Sequence, residues 1–86
     1  MPDFKVVLSR SAIKELEELD NIRVNYIFPK IKSLGENPQP KGCLKLRGET
    51  NLWRIRIRDY RVIYSIDRKN KIVDVVLIKH RKDAYR

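Results

Sequence analysis

Leu52–Tyr64 reads LWRIRIRDYRVIY. Taken with a period of two, Trp53, Ile55 and Ile57 fall on one side of a strand and Arg54, Arg56 and Arg58 on the other, because successive side chains of an extended chain point to opposite faces. The alternation resumes two residues later, with Tyr60, Val62, Tyr64 and Ile66 on one side and Arg61, Ile63 and Ser65 on the other. Two such runs joined by a short turn predict an antiparallel hairpin. If the apolar sides share a core, Arg54, Arg56 and Arg61 come together on the opposite face. Like charges set side by side oppose folding, so this cluster calls for an anionic partner or a plain solvated face. The Arg58-Asp59 turn calls for positive φ at its first residue, which arginine tolerates less well than glycine or asparagine.

The charge of the whole chain points the same way. Residues 1–40 hold six Lys/Arg and six Asp/Glu, whereas residues 41–86 hold fourteen Lys/Arg and five Asp/Glu, so the entire net charge of +9 lies in the second half. A one-sided basic surface concentrates polyanions and speeds their association, which directs attention to nucleic acid or the ribosome. The 86 residues suit one domain, residues 1–86, and no run approaches the ~20 apolar residues of a membrane span. MPDFKVVLSR has too short an apolar run for a secretory signal. One cysteine, Cys43, excludes an internal disulfide, and one histidine beside it is too few for a zinc cage. The expectation is a cytoplasmic protein with no metal, no cofactor and no membrane contact.

The remaining segments frame the hairpin. Asp3–Leu8 alternates weakly and reads as a first strand. Ser9 or Ser11 can cap a helix whose apolar stripe is Ala12, Ile13, Leu16 and Leu19, with Glu15, Glu17 and Glu18 toward water. Asp20-Asn21 can cap a second helix that buries Ile22, Tyr26, Ile27, Ile31 and Leu34. Pro29 lacks an N–H and crowds the Asn25 carbonyl, predicting a kink, and Gly35 with Pro38 predicts the helix end. After the NPQPKG loop, Lys41, Lys45 and Arg47 are basic, while Leu44 and Leu46 read as anchors. A turn at Asp67–Lys71 leads to IVDVVLI at Ile72–Ile78, whose nearly continuous apolar run predicts a strand covered on both faces. The expected class is α+β, with two N-terminal helices packed on a small antiparallel sheet in the order β-α-α-β-β-β.

KLRG at Lys45–Gly48, LWRIRIRDYRVIYSID at Leu52–Asp67 and VLIKHRKDAYR at Val76–Arg86 resemble the RelE/ParE superfamily of type II toxin–antitoxin toxins, the RelE branch above all. The combination of these motifs is far more specific than any one of them, and together they cover roughly half the chain. The resemblance implies the RelE-like toxin fold and a cytoplasmic endonuclease that cleaves mRNA in the ribosomal A site. It also implies a cognate antitoxin that holds the toxin inactive in a hetero-oligomer, with operator DNA bound only through the antitoxin. Carried over by position, the family's basic residues on the first hairpin strand fall on Arg54 and Arg56, and its phosphate-binding arginine on Arg61. The arginine after the last strand falls on Arg81 and the C-terminal aromatic on Tyr85. Arginine stands at 54 and 56 where lysines can stand in the family, and arginine keeps its charge, which speaks against a general-base role for either position.

The implied chemistry is attack of an RNA 2′-OH on the adjacent phosphate, which demands in-line alignment, stabilisation of added negative charge and two proton transfers. Arginine supplies a fixed charged fork for phosphate oxygens, which suits Arg54, Arg56, Arg61 and Arg81. Lys45 and Arg47 are further candidates for RNA phosphate contacts. Histidine is a residue type suited to proton transfer near neutral pH, which makes His80 a candidate, and Tyr85 can stack on a base or orient the 2′-OH, so the general base stays open. Each residue also has a plainer reading. Arg54 and Arg56 can be the polar face of an amphipathic strand, Arg61 can pair with Asp59 or Asp74, and His80 can cap the sheet. Tyr85 can be a frayed end, Trp53 reads as core, and Cys43 as a small buried hydrophobe or an idle thiol. Two other functions stay open: a ParE-like DNA gyrase poison of the same fold, and a basic nucleic-acid-binding module without activity.

Overall fold

Two side-chain caps set where the helices begin. In the computed structural model, which describes residues 3–48 and 51–84, the Ser9 hydroxyl accepts a hydrogen bond from the Ala12 N–H and opens α1, Arg10–Glu17. The Asp20 carboxylate accepts from the Arg23 N–H and opens α2, Asn21–Ser33. Each cap satisfies an N–H that has no partner inside its helix. Strand β1, Lys5–Leu8, precedes α1; β2, Leu44–Lys45, β3, Trp53–Ile57, β4, Tyr60–Asp67, and β5, Ile72–His80, follow α2; a last turn of helix, α3, covers Arg81–Ala84.

The sheet order is β1-β5-β4-β3-β2, and every neighbouring pair is antiparallel except β1 with β5. This is the expected α+β architecture with two additions. Leu44–Lys45 joins as a fifth, two-residue strand, and β1 runs parallel to its neighbour. Parallel neighbours need a long crossover, and between β1 and β5 the chain passes through both long helices and three other strands. The core forms between the helices and one sheet face, joining Ala12, Ile27, Ile31 and Leu34 to Ile55, Ile57, Tyr60, Val62, Tyr64, Ile66, Val73, Val75 and Ile78. Trp53 packs against it, and Cys43 does so half buried.

Several expectations are corrected. Strand β5 is not covered on both faces, because Asp74, Val76 and Lys79 are exposed. Its apolar run instead contains a bulge. Ile63 pairs with Leu77 while Tyr64 pairs with Val75, so Val76 is an extra residue, and the faces exchange parity there. Val73 and Val75 point to the helices before the bulge, Ile78 after it. Ile22 is 75% exposed rather than buried, because α2 meets the core through Ile27, Ile31 and Leu34, and Leu44 is 55% exposed at the sheet edge. Pro29 lies inside α2, which ends at Ser33, just before the expected stop at Gly35. Gly35 does not adopt a left-handed cap; the helix tightens so that Leu34, Gly35 and Glu36 N–H groups each donate to a carbonyl three residues back. The Gly35 carbonyl then accepts from Phe4 N–H, tying the helix end to β1. Among the described residues no helix is long and apolar enough to cross a membrane.

Candidate active site

The face of the sheet away from α1 and α2 carries its side chains in rows set by the strand register. Arg56 stands directly across from Arg61, and Arg61 from Lys79, which makes one cationic row over β3, β4 and β5. The next row runs Leu44, Arg54, Ile63 and Leu77, which is apolar apart from its arginine. The bulge at Val76 is what places Leu77 and Lys79 on this face; uninterrupted alternation from Val75 would have put them on the covered side. Val75 itself is fully buried against the helices.

The hairpin tip closes the cationic row. Arg58 adopts φ +54°, as its turn position demands, and its guanidinium carbon lies 4.1 Å from the centre of the Tyr26 ring on α2. The Asp59 carbonyl accepts a hydrogen bond of 2.5 Å from the Arg81 N–H, so the first residue after β5 is fastened to the turn between β3 and β4. That bond joins backbone groups 22 residues apart in sequence. Arg56, Arg58, Asp59, Tyr60, Arg61 and Arg81 line one cavity of about 220 Å³. Four arginines against a single aspartate among the lining residues make the cavity strongly positive, and guanidinium forks are suited to phosphate oxygens. Tyr60 is among the lining residues while its ring is buried in the core, and its phenol pKa is raised, chiefly by burial, against the opposing pull of the Arg23 charge. At neutral pH that phenol keeps its proton and can donate a hydrogen bond.

The candidates from the sequence divide into those the cavity unites and those it does not. Arg56, Arg61 and Arg81 line it. Arg54 sits one row away, half buried, opposite Ile63. Lys45 pairs with Trp53 and so shares the covered side's orientation, while Arg47 lies exposed beyond β2. His80 also points to the covered side, its ring edge-on to Tyr60 with centroids 5.0 Å apart. Its Nδ1 accepts from the Lys82 N–H at 3.1 Å, which places the proton of a neutral ring on Nε2 and caps α3. Tyr85 lies outside the described residues. Arg58, Asp59 and Tyr60 complete the lining, and sequence reasoning assigned none of them to the site; the turn position of Arg58, next to two strands rich in arginine, was the available signal. Among the described residues no group of three or more His, Cys, Asp or Glu is placed to hold a metal ion.

Comparison with known proteins agrees with this fold. Residues 6–85 match the family described as the ParE toxin of the type II toxin–antitoxin system parDE. The candidate toxin RelE1 of Methanocaldococcus jannaschii is 28% identical over 86 residues, spanning 96% of each chain. A chain of the archaeal RelE–RelB complex from Pyrococcus horikoshii OT3 superposes with a TM-score of 0.81 at 28% identity, covering 92% of this chain and 96% of that one. A chain of the intact E. coli RelBE toxin–antitoxin complex shares the fold, with a TM-score of 0.77 at 23% identity over 90% of this chain and 95% of that one. The chain belongs to the ParE toxin family of type II toxin–antitoxin systems, within the RelE/ParE superfamily.

Proposed function

We propose that this toxin is a ribosome-dependent endoribonuclease that cuts mRNA in the ribosomal A site and so halts translation in the cytoplasm. The observation that carries the reading is the cavity lined by Arg56, Arg58, Arg61 and Arg81, a phosphate site at a hairpin tip. In the reaction the RNA 2′-oxygen bonds to the adjacent phosphorus and the bond to the 5′-oxygen breaks. The products are a 2′,3′-cyclic phosphate and a free 5′-OH. One proton leaves the 2′-OH and one is delivered to the departing 5′-oxygen, so the step balances without a metal or a cofactor. Arg61 and Arg81 hold the non-bridging oxygens, where charge builds in the transition state. Arg56 and Arg54 hold flanking phosphates, with Arg47 and Lys45 as outlying RNA contacts. His80 and Tyr85 are the candidates for the proton transfers. The His80 ring sits behind Tyr60, so a role for it runs through the Tyr60 hydroxyl or through movement of the tail.

A cognate antitoxin would cover this face. The matched chains come from toxin–antitoxin complexes, and the cationic row beside Leu44, Ile63 and Leu77 suits an acidic amphipathic segment. Operator DNA would be reached only through that partner. Charge reversal at Arg54 and Arg56 should weaken antitoxin binding; unchanged affinity would move the docking site elsewhere.

The match to the ParE description favours one second reading, a gyrase poison acting by binding. Primer extension on a translated and an untranslated copy of one transcript separates the two. The nuclease cuts only the translated copy, and equal cutting of both removes the ribosome from the mechanism. Intact mRNA with broken or supercoiling-defective DNA establishes the gyrase reading instead.

A further inference from the structure

The cavity does not lie flat on the open sheet face. Arg56 and Arg61 line it from that face, Arg58 and Asp59 from the turn, and Arg81 from beyond β5, so it sits at the end of the hairpin. Arg58 is the member whose backbone is least suited to its residue type, at φ +54°. A side chain in the left-handed region costs stability and persists where surrounding structure holds it, often at binding sites. Here the holder is Tyr26, whose ring lies 4.1 Å from the guanidinium carbon. A guanidinium over a tyrosine face is attracted by the ring's quadrupole, and the contact leaves its N–H groups free to point elsewhere. Helix α2 therefore backs the rim of the site through the Tyr26 ring.

We infer that Arg58 is the fourth phosphate-gripping cation of this cavity and that Tyr26 is its positioning residue, holding the guanidinium at the cavity rim before RNA arrives. The inference rests on reading this cavity as the RNA site. A long arginine side chain otherwise loses rotamer freedom when it binds, and a preset one loses less. The Tyr26 hydroxyl plays no part in this, since the ring face supplies the contact.

The test uses the whole chain and a short single-stranded 2′-O-methyl oligoribonucleotide, which binds but cannot be cut. Affinity is measured by fluorescence anisotropy over a range of salt concentrations. Arg58→Asn suits the turn backbone and removes one phosphate contact, so the slope of log affinity against log salt becomes shallower by about 0.7. Tyr26→Phe keeps the wild-type slope and affinity, and Tyr26→Leu falls between wild type and Arg58→Asn. Thermal melts of all three variants show that they fold. An Arg58→Asn slope equal to wild type overturns the phosphate contact, and a Tyr26→Leu variant matching wild type overturns the positioning role. A wild-type affinity without salt dependence removes the anion site and the inference together. Slopes ordered as expected, with no mRNA cut on ribosomes, would leave Arg58 and Tyr26 in their roles and fell only the nuclease reading.

Discussion

Arg56 and Arg61 stand directly opposite each other across the hairpin, one residue pair from its closing turn. Like charges in that relation destabilise a sheet by roughly 0.2–1 kcal/mol. Arg56→Thr should therefore raise stability by about 0.5 kcal/mol at low salt while weakening toxicity. Denaturant midpoints measured at low and high sodium chloride check this. The gain should shrink as salt screens the repulsion, and a destabilised variant at low salt would show that the pair is not under strain.

Arg61 and Arg81 should carry the chemical step. If each acts on developing charge, Arg61→Ala and Arg81→Ala should each lower single-turnover cleavage on programmed ribosomes by roughly 10²–10³, with ribosome binding retained. Arg54→Ala should mainly weaken binding, with a shallower salt dependence. A 2′-deoxy residue 5′ of the cut should block cleavage in the same assay; a deoxy message cut at the normal rate rules out 2′-OH attack.

Ser9 joins the start of α1 to the bulge in β5, and this predicts a stability effect larger than a cap alone. Its hydroxyl accepts from the Ala12 N–H and donates to the Val76 carbonyl at 2.7 Å. Ser9→Ala should lose about 1 kcal/mol of capping and about 1 kcal/mol from the Val76 bond. Ser9→Thr should recover most of both. Urea unfolding of the three chains decides it, and a Ser9→Ala loss under about 0.5 kcal/mol would mean the bulge needs no such support.

Stability should fall at both ends of the pH scale, for different reasons. Burial raises the Tyr64 phenol pKa well above 10.0, and its hydroxyl donates to the Pro38 carbonyl at 2.6 Å. The unfolded phenol ionises first, so this contribution is full below about pH 10 and is lost as pH climbs toward the folded value. Tyr64→Phe should cost stability at neutral pH yet flatten the alkaline fall. At the acid end, hydrogen bonds from Asn70 hold the Asp67 carboxylate below its ordinary 3.8. That contribution is present above pH 3.8 and is lost as pH drops through the folded value, so Asp67→Asn should flatten the acid limb. Thermal midpoints from pH 2 to 11 test both variants.

The sequence by itself determined what depends on neighbours a few residues away. Alternation from Trp53 to Ile66 placed the hairpin and its two faces, Ser9 and Asp20 announced the helix starts, and the turn required positive φ at Arg58. The arginine row followed, because period two is a property of the extended chain itself. Only the tertiary structure decided which way β1 runs, that Ile22 stays in water, and where β5 changes faces. The bulge at Val76 is stabilised by Ser9, 67 residues earlier. No local pattern in IVDVVLI records that partner, and a continuous apolar run reads equally well with or without an extra residue. The site's last cation depended on the same kind of distant bond. Arg81 lines the same cavity as Arg61 where its N–H meets the Asp59 carbonyl, and Arg58 lies over Tyr26 of a distant helix. Backbone periodicity fixes the side of a strand on which a charge lies, but closing a pocket requires contacts between segments, and those form only when the chain packs.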